Sequence, residues 1–224
     1  MISYIVPTMW KYEPFLDFIS DIIEHPLIGE VIIIDNNFNE RPNHSIFANN
    51  KVKLLNFGKN VFVNPSWNEG VKNSKYDKLA IANDDIIYDL RVFDKVYDYI
   101  KDENGPIGLS VDPNAVNDAV IRIKEYNFSM SQLQFPQLMF MHKNFYDPVP
   151  SGLDFYFGDS FVFDNALWKN KKIFAITDIF FYTPGTMTCR HLDLNGVYQR
   201  EREVYKQVII DHGHIPEVWS GHFR

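Results

Sequence analysis

Apolar positions along the first hundred residues follow two rhythms in turn. Ser3 to Val6 is a short apolar run stopped by Pro7 and Thr8, which predicts a strand meeting a turn. Glu13 and Pro14 then open a segment whose Phe15, Leu16, Ile19, Ile22 and Ile23 share one face of a 3.6-residue helix. Glu30 to Ile34 is rich in β-branched residues without a polar break after Glu30. That pattern predicts a strand buried on both faces of a parallel sheet, and it gives way to Asp35, Asn36 and Asn37. Further strands are predicted at Val52 to Asn56 and Lys78 to Ala82, with a helix over Trp67 to Ser74 between them. The second of these strands ends in Asn83, Asp84 and Asp85.

Strands alternating with helices imply an α/β fold: a mostly parallel, Rossmann-like central sheet flanked by helices, whose ligands gather beyond the carboxyl ends of the strands. Three polar clusters fall at such ends, at Pro7 and Thr8, at Asp35 to Asn37, and at Asn83 to Asp85. After a helix over Leu90 to Lys101 the pattern loosens. Asn104, Gly105 and Pro106 break the chain, and strands are predicted at Gly108 to Val111, Val120 to Lys124 and Phe174 to Tyr182. Gln132 to Phe145 mixes Gln, Met and aromatic residues without a clear period, and Gln199 to Asp211 reads as a helix ahead of Gly213. No repeat or linker divides the chain, so a single domain over 1–224 is expected, with a regular half over 1–103 and a less regular one over 104–224.

Composition narrows the setting. At 224 residues, 46% of them hydrophobic, the chain is long enough for a substantial core without disulfides. Its one cysteine, Cys189, has no internal partner, and the opening residues lack the basic start and long apolar core of a secretion signal. A soluble cytoplasmic protein is expected. The net charge of −7 argues against nucleic acid or an anionic membrane as partner, and no apolar run approaches the length of a membrane span.

The chemistry gathers on the acidic clusters. Asp84 and Asp85, adjacent where a buried strand meets a loop, can hold a hard divalent ion such as Mn2+ or Mg2+ and leave coordination positions for the oxygens of a diphosphate; the plainer alternative is a turn whose Asp85 caps a helix. Asp35 offers acceptors to a nucleobase N–H or a ribose hydroxyl, or simply ends its strand in a turn.

In order and spacing these residues resemble the family 2-like glycosyltransferases of the GT-A fold. The matching positions are Val6, Pro7 and Thr8 at the first strand end, Ile32 to Asp35 with Asn36 at the second, Asn60, Asn68 and Gly70 between, and Asn83, Asp84 and Asp85 as the metal-binding signature. The resemblance covers roughly residues 3–90 and is looser beyond. It implies a pyrimidine and ribose near Pro7, Thr8, Asp35 and Asn68, with Asp84 facing the ribose or sugar and Asp85 on the metal. Trp10, Lys11 and Trp67 stand next to these turns, where they either meet base and phosphate or serve ordinary packing and solvation.

In the second half, Gly158 and Asp159 are similar to the family's Gly-Glu-Asp region, which implies Asp159 as the base that deprotonates the acceptor. Gly158 stands where many members have Glu, and Asp154 is the rival base. The family's later His is absent from Phe181 to Thr186; His191, with Arg190 beside it for phosphate, either supplies a substitute metal ligand or is a structural His. His212, His214 and His222 match no closed zinc site and read as a solvated helix end. The implied function is metal-dependent, inverting transfer of a sugar from a nucleotide-diphosphate donor, a UDP-sugar, to the hydroxyl of a glycan or other acceptor. A non-catalytic module that keeps a nucleotide-sugar or carbohydrate pocket is the alternative.

Overall fold

The computed structural model describes residues 1–110, 120–126, 133–184 and 194–215. The chain runs β1 (Ile2–Thr8), α1 (Phe15–Glu24), β2 (Ile28–Asp35), β3 (Val52–Asn56), α2 (Val63–Lys72), β4 (Lys78–Ala82), β5 (Ile87–Tyr88) and α3 (Val92–Val96). It continues through β6 (Asn104–Ser110), β7 (Arg122–Glu125), β8 (Leu133–His142), α4 (Gly158–Trp168), β9 (Lys172–Thr177), β10 (Phe181–Tyr182) and α5 (Val197–Asp211). Eight strands form one sheet in the order β3-β2-β1-β4-β8-β6-β9-β7, and β5 pairs with β10 apart from it. β3, β2, β1 and β4 are mutually parallel, β6 and β9 run with them in parallel pairing, and β8 and β7 run against their neighbours. The expected mostly parallel sheet is therefore present, with antiparallel strands confined to the second half.

Alternation along each strand divides the core in two. Tyr4 and Val6 of β1, Val31 and Ile33 of β2 and Ala80 of β4 face α1 and α3. Ile5, Ile32, Ile34, Leu79 and Ile81 face α2, α4 and α5. Both faces of the central strands are thus covered, which is why β2 is apolar at every position from Val31 to Ile34 rather than alternating.

Several boundaries differ from the sequence reading. β1 continues through Pro7 and Thr8 rather than turning there. Thr8 C=O accepts from Asn36 N–H on the β2 side, so the alternate residue Pro7 presents its backbone toward β4. Lacking an N–H there, Pro7 coincides with the end of the β1–β4 ladder at Ile5 and Ile81, while pairing to β2 runs on to Asp35. α2 begins at Val63 rather than Trp67, because Pro65 falls in the first turn, where its missing N–H costs nothing. The expected helix over Leu90 to Lys101 contracts to α3, the strand over Phe174 to Tyr182 is interrupted between β9 and β10, and the unassigned Gln132 to Phe145 is largely β8.

Candidate active site

β2, β1 and β4 are neighbours, parallel and in register, so their carboxyl ends form one edge carrying Asp35, Thr8, and Asp84 with Asp85. Thr8 pairs with Asp35 across β1 and β2, and Thr8 and Asp84 each lie three residues past the last β1–β4 pair. This end-of-strand crevice is where an open α/β sheet receives ligands.

Thr8 Oγ1 donates to Asp84 Oδ2 at 2.6 Å, and Met9 N–H donates to the same oxygen at 3.3 Å. Thr8 Oγ1 in turn accepts from Trp10 N–H at 2.9 Å. Thr8 is therefore a buried tie between two strand ends, its hydroxyl already used on both sides. Burial pushes the Asp84 carboxyl up to about 6; the Thr8 hydroxyl opposes that shift, the neighbouring Asp85 charge adds to it, and Met9 N–H opposes it again. Asp84 and Asp85 are each only 7% exposed. Burial, then the nearby Tyr182 and Asp85, raises the Tyr12 phenol, which puts Tyr12 within electrostatic reach of both Tyr182 and Asp85. Tyr182 arrives there because β10 pairs with β5, the strand that leaves Asp85.

Asp35 is held from several sides. Its Oδ1 accepts from Trp10 Nε1 at 2.8 Å and Asn37 N–H at 3.1 Å, and its Oδ2 from Asn56 Nδ2 at 3.4 Å, with Arg41 at 3.7 Å. Trp10 holds a left-handed backbone, φ 60°, uncommon for a bulky residue, while its ring packs on Phe15 and Phe47. Phe47 and Arg41, together with Pro42, Asn43 and Leu54, line an open cavity of about 360 Å³ beside this strand end. Lys11 pairs with Glu40 at the surface, and Trp67 is buried in the core on the α2 side of the sheet.

Asn68 is engaged elsewhere. Its Oδ1 accepts from Tyr146 Oη at 2.7 Å and Val149 N–H at 2.8 Å, and its Nδ2 donates to Val149 C=O at 2.9 Å. All of these bonds run to the 146–149 segment, which makes Asn68 a clamp on that segment. The contact from α2 to the strand ends comes instead from Ser66, whose Oγ accepts from Asn36 Nδ2 at 3.0 Å; Asn36 Oδ1 accepts from Val61 N–H at 3.0 Å. Asn36 stood in a polar cluster visible in the sequence, whereas nothing in the sequence marked Ser66.

Asp159 lies in the first turn of α4, partly exposed, while Asp154 lies in the preceding loop with its C=O accepting from Asn64 N–H at 3.1 Å. Asn64 Nδ2 donates to Leu153 C=O at 3.1 Å and Tyr156 C=O at 3.0 Å, binding the start of α2 to the loop that leads into α4. At Gly158 a Cβ would sit 2.1 Å from Asn64 Oδ1, so any side chain there, Glu included, would require the Asn64 side chain to shift. The other side of this loop meets Glu201, a fully buried carboxylate of α5 that accepts from Phe155 N–H at 3.1 Å and Tyr156 N–H at 2.7 Å. A signal for Glu201 existed, since it shares an i, i+4 stripe with Tyr205 and Ile209 on which the other two members are apolar core residues. His191 and Arg190 lie outside the described residues. Among the described residues no three His, Cys, Asp or Glu side chains gather as a metal cluster, and no helix is long and apolar enough to cross a membrane.

No family model and no curated protein matches the sequence. Among solved structures the chain is similar to TarS of S. aureus. A crystal structure of TarS 1-349 superposes with TM-score 0.60 at 11% identity, covering 93% of this chain and 72% of that one. TarS 1-349 in complex with UDP-GlcNAc gives 0.61 at 14% identity, covering 93% and 66%. A longer TarS structure gives 0.63 at 12% identity, and this chain spans only 39% of its length. Taken with the order and direction of the strands, the likeness shows that the chain has a GT-A-like α/β fold.

Proposed function

We propose that this chain is a glycosyltransferase that moves a sugar from a nucleotide-diphosphate donor, a UDP-sugar, to a hydroxyl of a glycan or other acceptor, inverting the anomeric carbon. The observation that carries this reading is the row of buried carboxylates, Asp35, Asp84 and Asp85, at adjacent strand ends of a GT-A-like sheet. The presence of UDP-GlcNAc in a structure of the same fold supports uridine as the nucleoside.

Asp84 and Asp85 fit a hard divalent cation, Mn2+ or Mg2+. They are consecutive and both buried, and the charge of Asp85 helps raise the pKa of Asp84, a repulsion that a cation relieves. Such ions commonly use one or two carboxylates and complete their shell with substrate phosphates, so a third protein ligand is not required. In this reading Asp85 is the ligand, and the ion, when bound, supplies neutralising charge to the departing diphosphate. Asp84, fixed by Thr8 and Met9, faces the ribose or sugar, and Asp35 accepts from a base N–H or ribose hydroxyl. Asp159 takes the proton of the acceptor hydroxyl as that oxygen bonds to the anomeric carbon and the bond to the diphosphate oxygen breaks. A single displacement of this kind inverts the centre.

A thermal-shift series with UDP, UDP-sugars and other nucleotides, each with Mn2+, Mg2+ or chelator, tests the donor half. A ligand at 100 times its dissociation constant stabilises by about 2.7 kcal/mol. UDP release with and without an acceptor panel tests turnover. Metal-dependent stabilisation by UDP-sugars with acceptor-dependent release supports the proposal. Binding with neither transfer nor donor hydrolysis would favour a binding module, and no nucleotide binding at all would end the reading.

A further inference from the structure

We propose that Glu201 is a positioning residue for transfer: its buried carboxylate holds the Phe155–Tyr156 backbone and thereby sets the start of α4 and the place of Asp159. The inference rests on the glycosyltransferase reading and adds to it a residue far from the strand-end carboxylates in sequence. Glu201 is 0% exposed, on a stripe of α5 with Tyr205 and Ile209. A carboxylate is costly in such a position unless its oxygens find donors. Oε2 accepts from Phe155 N–H at 3.1 Å and Tyr156 N–H at 2.7 Å, and Oε1 lies 3.2 Å from Phe155 N, with Arg200 at 3.8 Å.

The two amides that Glu201 engages belong to the four residues separating Asp154 from Asp159. Helix bonding reaches only the α4 end of this segment, where Phe157 C=O accepts from Phe161 N–H at 2.9 Å. Phe157, the residue just before α4, has a left-handed backbone at φ 62°, and Gly158 is pressed against Asn64. Asn64 takes the carbonyls of Leu153 and Tyr156 from the α2 side while Glu201 takes the amides of Phe155 and Tyr156 from the α5 side. One turn along α5, Tyr205 donates to Asp164 of α4, so α5 grips both the entry to α4 and its body. A base on the first turn of a helix is displaced when the entry to that helix slackens, and displacement of about 1 Å can cost about 100-fold in rate.

The test compares wild type, Glu201→Ala, Glu201→Gln, Asp159→Asn and the Asp159→Asn/Glu201→Ala double variant in UDP-sugar transfer, with hydrogen exchange at Phe155 and Tyr156. Glu201→Ala is expected to lower transfer kcat about 10- to 100-fold while leaving the donor KM within about twofold, and to speed exchange at those two amides but not in β1 and β4. Gln keeps one oxygen for both N–H groups, so Glu201→Gln should restore most of the rate; it also remains informative if Glu201→Ala does not fold. In the Asp159→Asn background, adding Glu201→Ala should cost less than about threefold, because its effect runs through Asp159. Full additivity of the two losses, a loss confined to donor KM, or unchanged exchange at Phe155 and Tyr156 would overturn the positioning role alone. Absence of transfer by the wild type would overturn the glycosyltransferase reading and this role with it.

Discussion

The hydroxyl of Thr8 donates to Asp84 Oδ2 across 2.6 Å in the protein interior, joining the end of β1 to the residue pair that follows β4. The tie fixes Asp84 and, through the shared backbone, sets where Asp85 stands. Asp85 is then the residue whose loss should remove metal dependence. Asp85→Asn keeps the size of the side chain and removes its charge, so UDP affinity measured by calorimetry in Mn2+ should fall to the value found with chelator. If wild-type affinity is equal in Mn2+ and chelator, the metal role of Asp85 is wrong.

Asp84 carries a stability cost that a variant should reveal. Its carboxyl is raised to about 6 from an ordinary value near 4, chiefly by burial. A group raised in the folded state stabilises below its unfolded value and loses that contribution as pH rises through the folded one. The metal-free protein should therefore lose about 2–3 kcal/mol from this group between pH 4 and pH 7. Asp84→Asn still accepts from Thr8 but cannot ionise, so it should melt above wild type at pH 7 and nearly with it at pH 4, while weakening metal-dependent nucleotide binding. Equal melting temperatures at pH 7 would show that burial of Asp84 imposes no such cost.

The indole of Trp10 bears on the other end of the crevice. Trp10 Nε1 and Asn37 N–H occupy Asp35 Oδ1, which turns Oδ2 toward Asn56 and Arg41, the side on which the cavity lined by Arg41 and Phe47 opens. Asp35→Ala should lower UDP affinity about tenfold or more in a folded protein, the scale of a lost charge-assisted hydrogen bond. Trp10→Phe keeps the ring contacts and removes the N–H that orients the carboxylate, so a smaller loss of about three- to tenfold is expected. Unchanged affinity in both variants would remove this strand end from the donor site.

The strand-end part of the candidate site was legible because Asp35, Asp84 and Asp85 come directly after, or one or two residues beyond, a run of four apolar strand residues that gives way abruptly to polar ones. Asp35, Asp84 and Asp85 needed only that pattern and the rule that parallel strands gather ligands at their carboxyl ends. Asn68 misled because sequence spacing hides rotation: it lies two residues past Ser66, about 200° around α2, so Ser66 meets Asn36 while Asn68 joins Asn64 on the face toward 146–156. α4 escaped notice for a different reason. It buries Phe161, Val162, Asp164, Asn165 and Ala166 on several sides, so no single apolar stripe announces it. Pro7 looked like a strand terminator, yet parallel pairing to β2 requires nothing of its missing N–H.

Asp159 is the residue on which turnover depends most in the proposed mechanism. It stands in the first turn of α4, and the loop that leads into that turn is bound through Asn64 to the start of α2, which Ser66 and Asn36 connect to the end of β2; a chain of hydrogen bonds thus links the loop before the base candidate to the strand end that carries Asp35. A base acts on the acceptor and not on the nucleotide. Asp159→Asn should accordingly leave UDP-sugar affinity within about twofold while lowering transfer by about 10²–10⁴-fold. Loss of basicity at constant size separates this outcome from a packing defect, which would show first as a lower melting temperature. Asp154→Asn is the comparison, since the carbonyl of Asp154 already serves Asn64 and only its side chain is altered. Transfer at the wild-type rate in Asp159→Asn, with loss in Asp154→Asn, would move the base to Asp154. Collapse of donor affinity in Asp159→Asn would instead place Asp159 against the diphosphate.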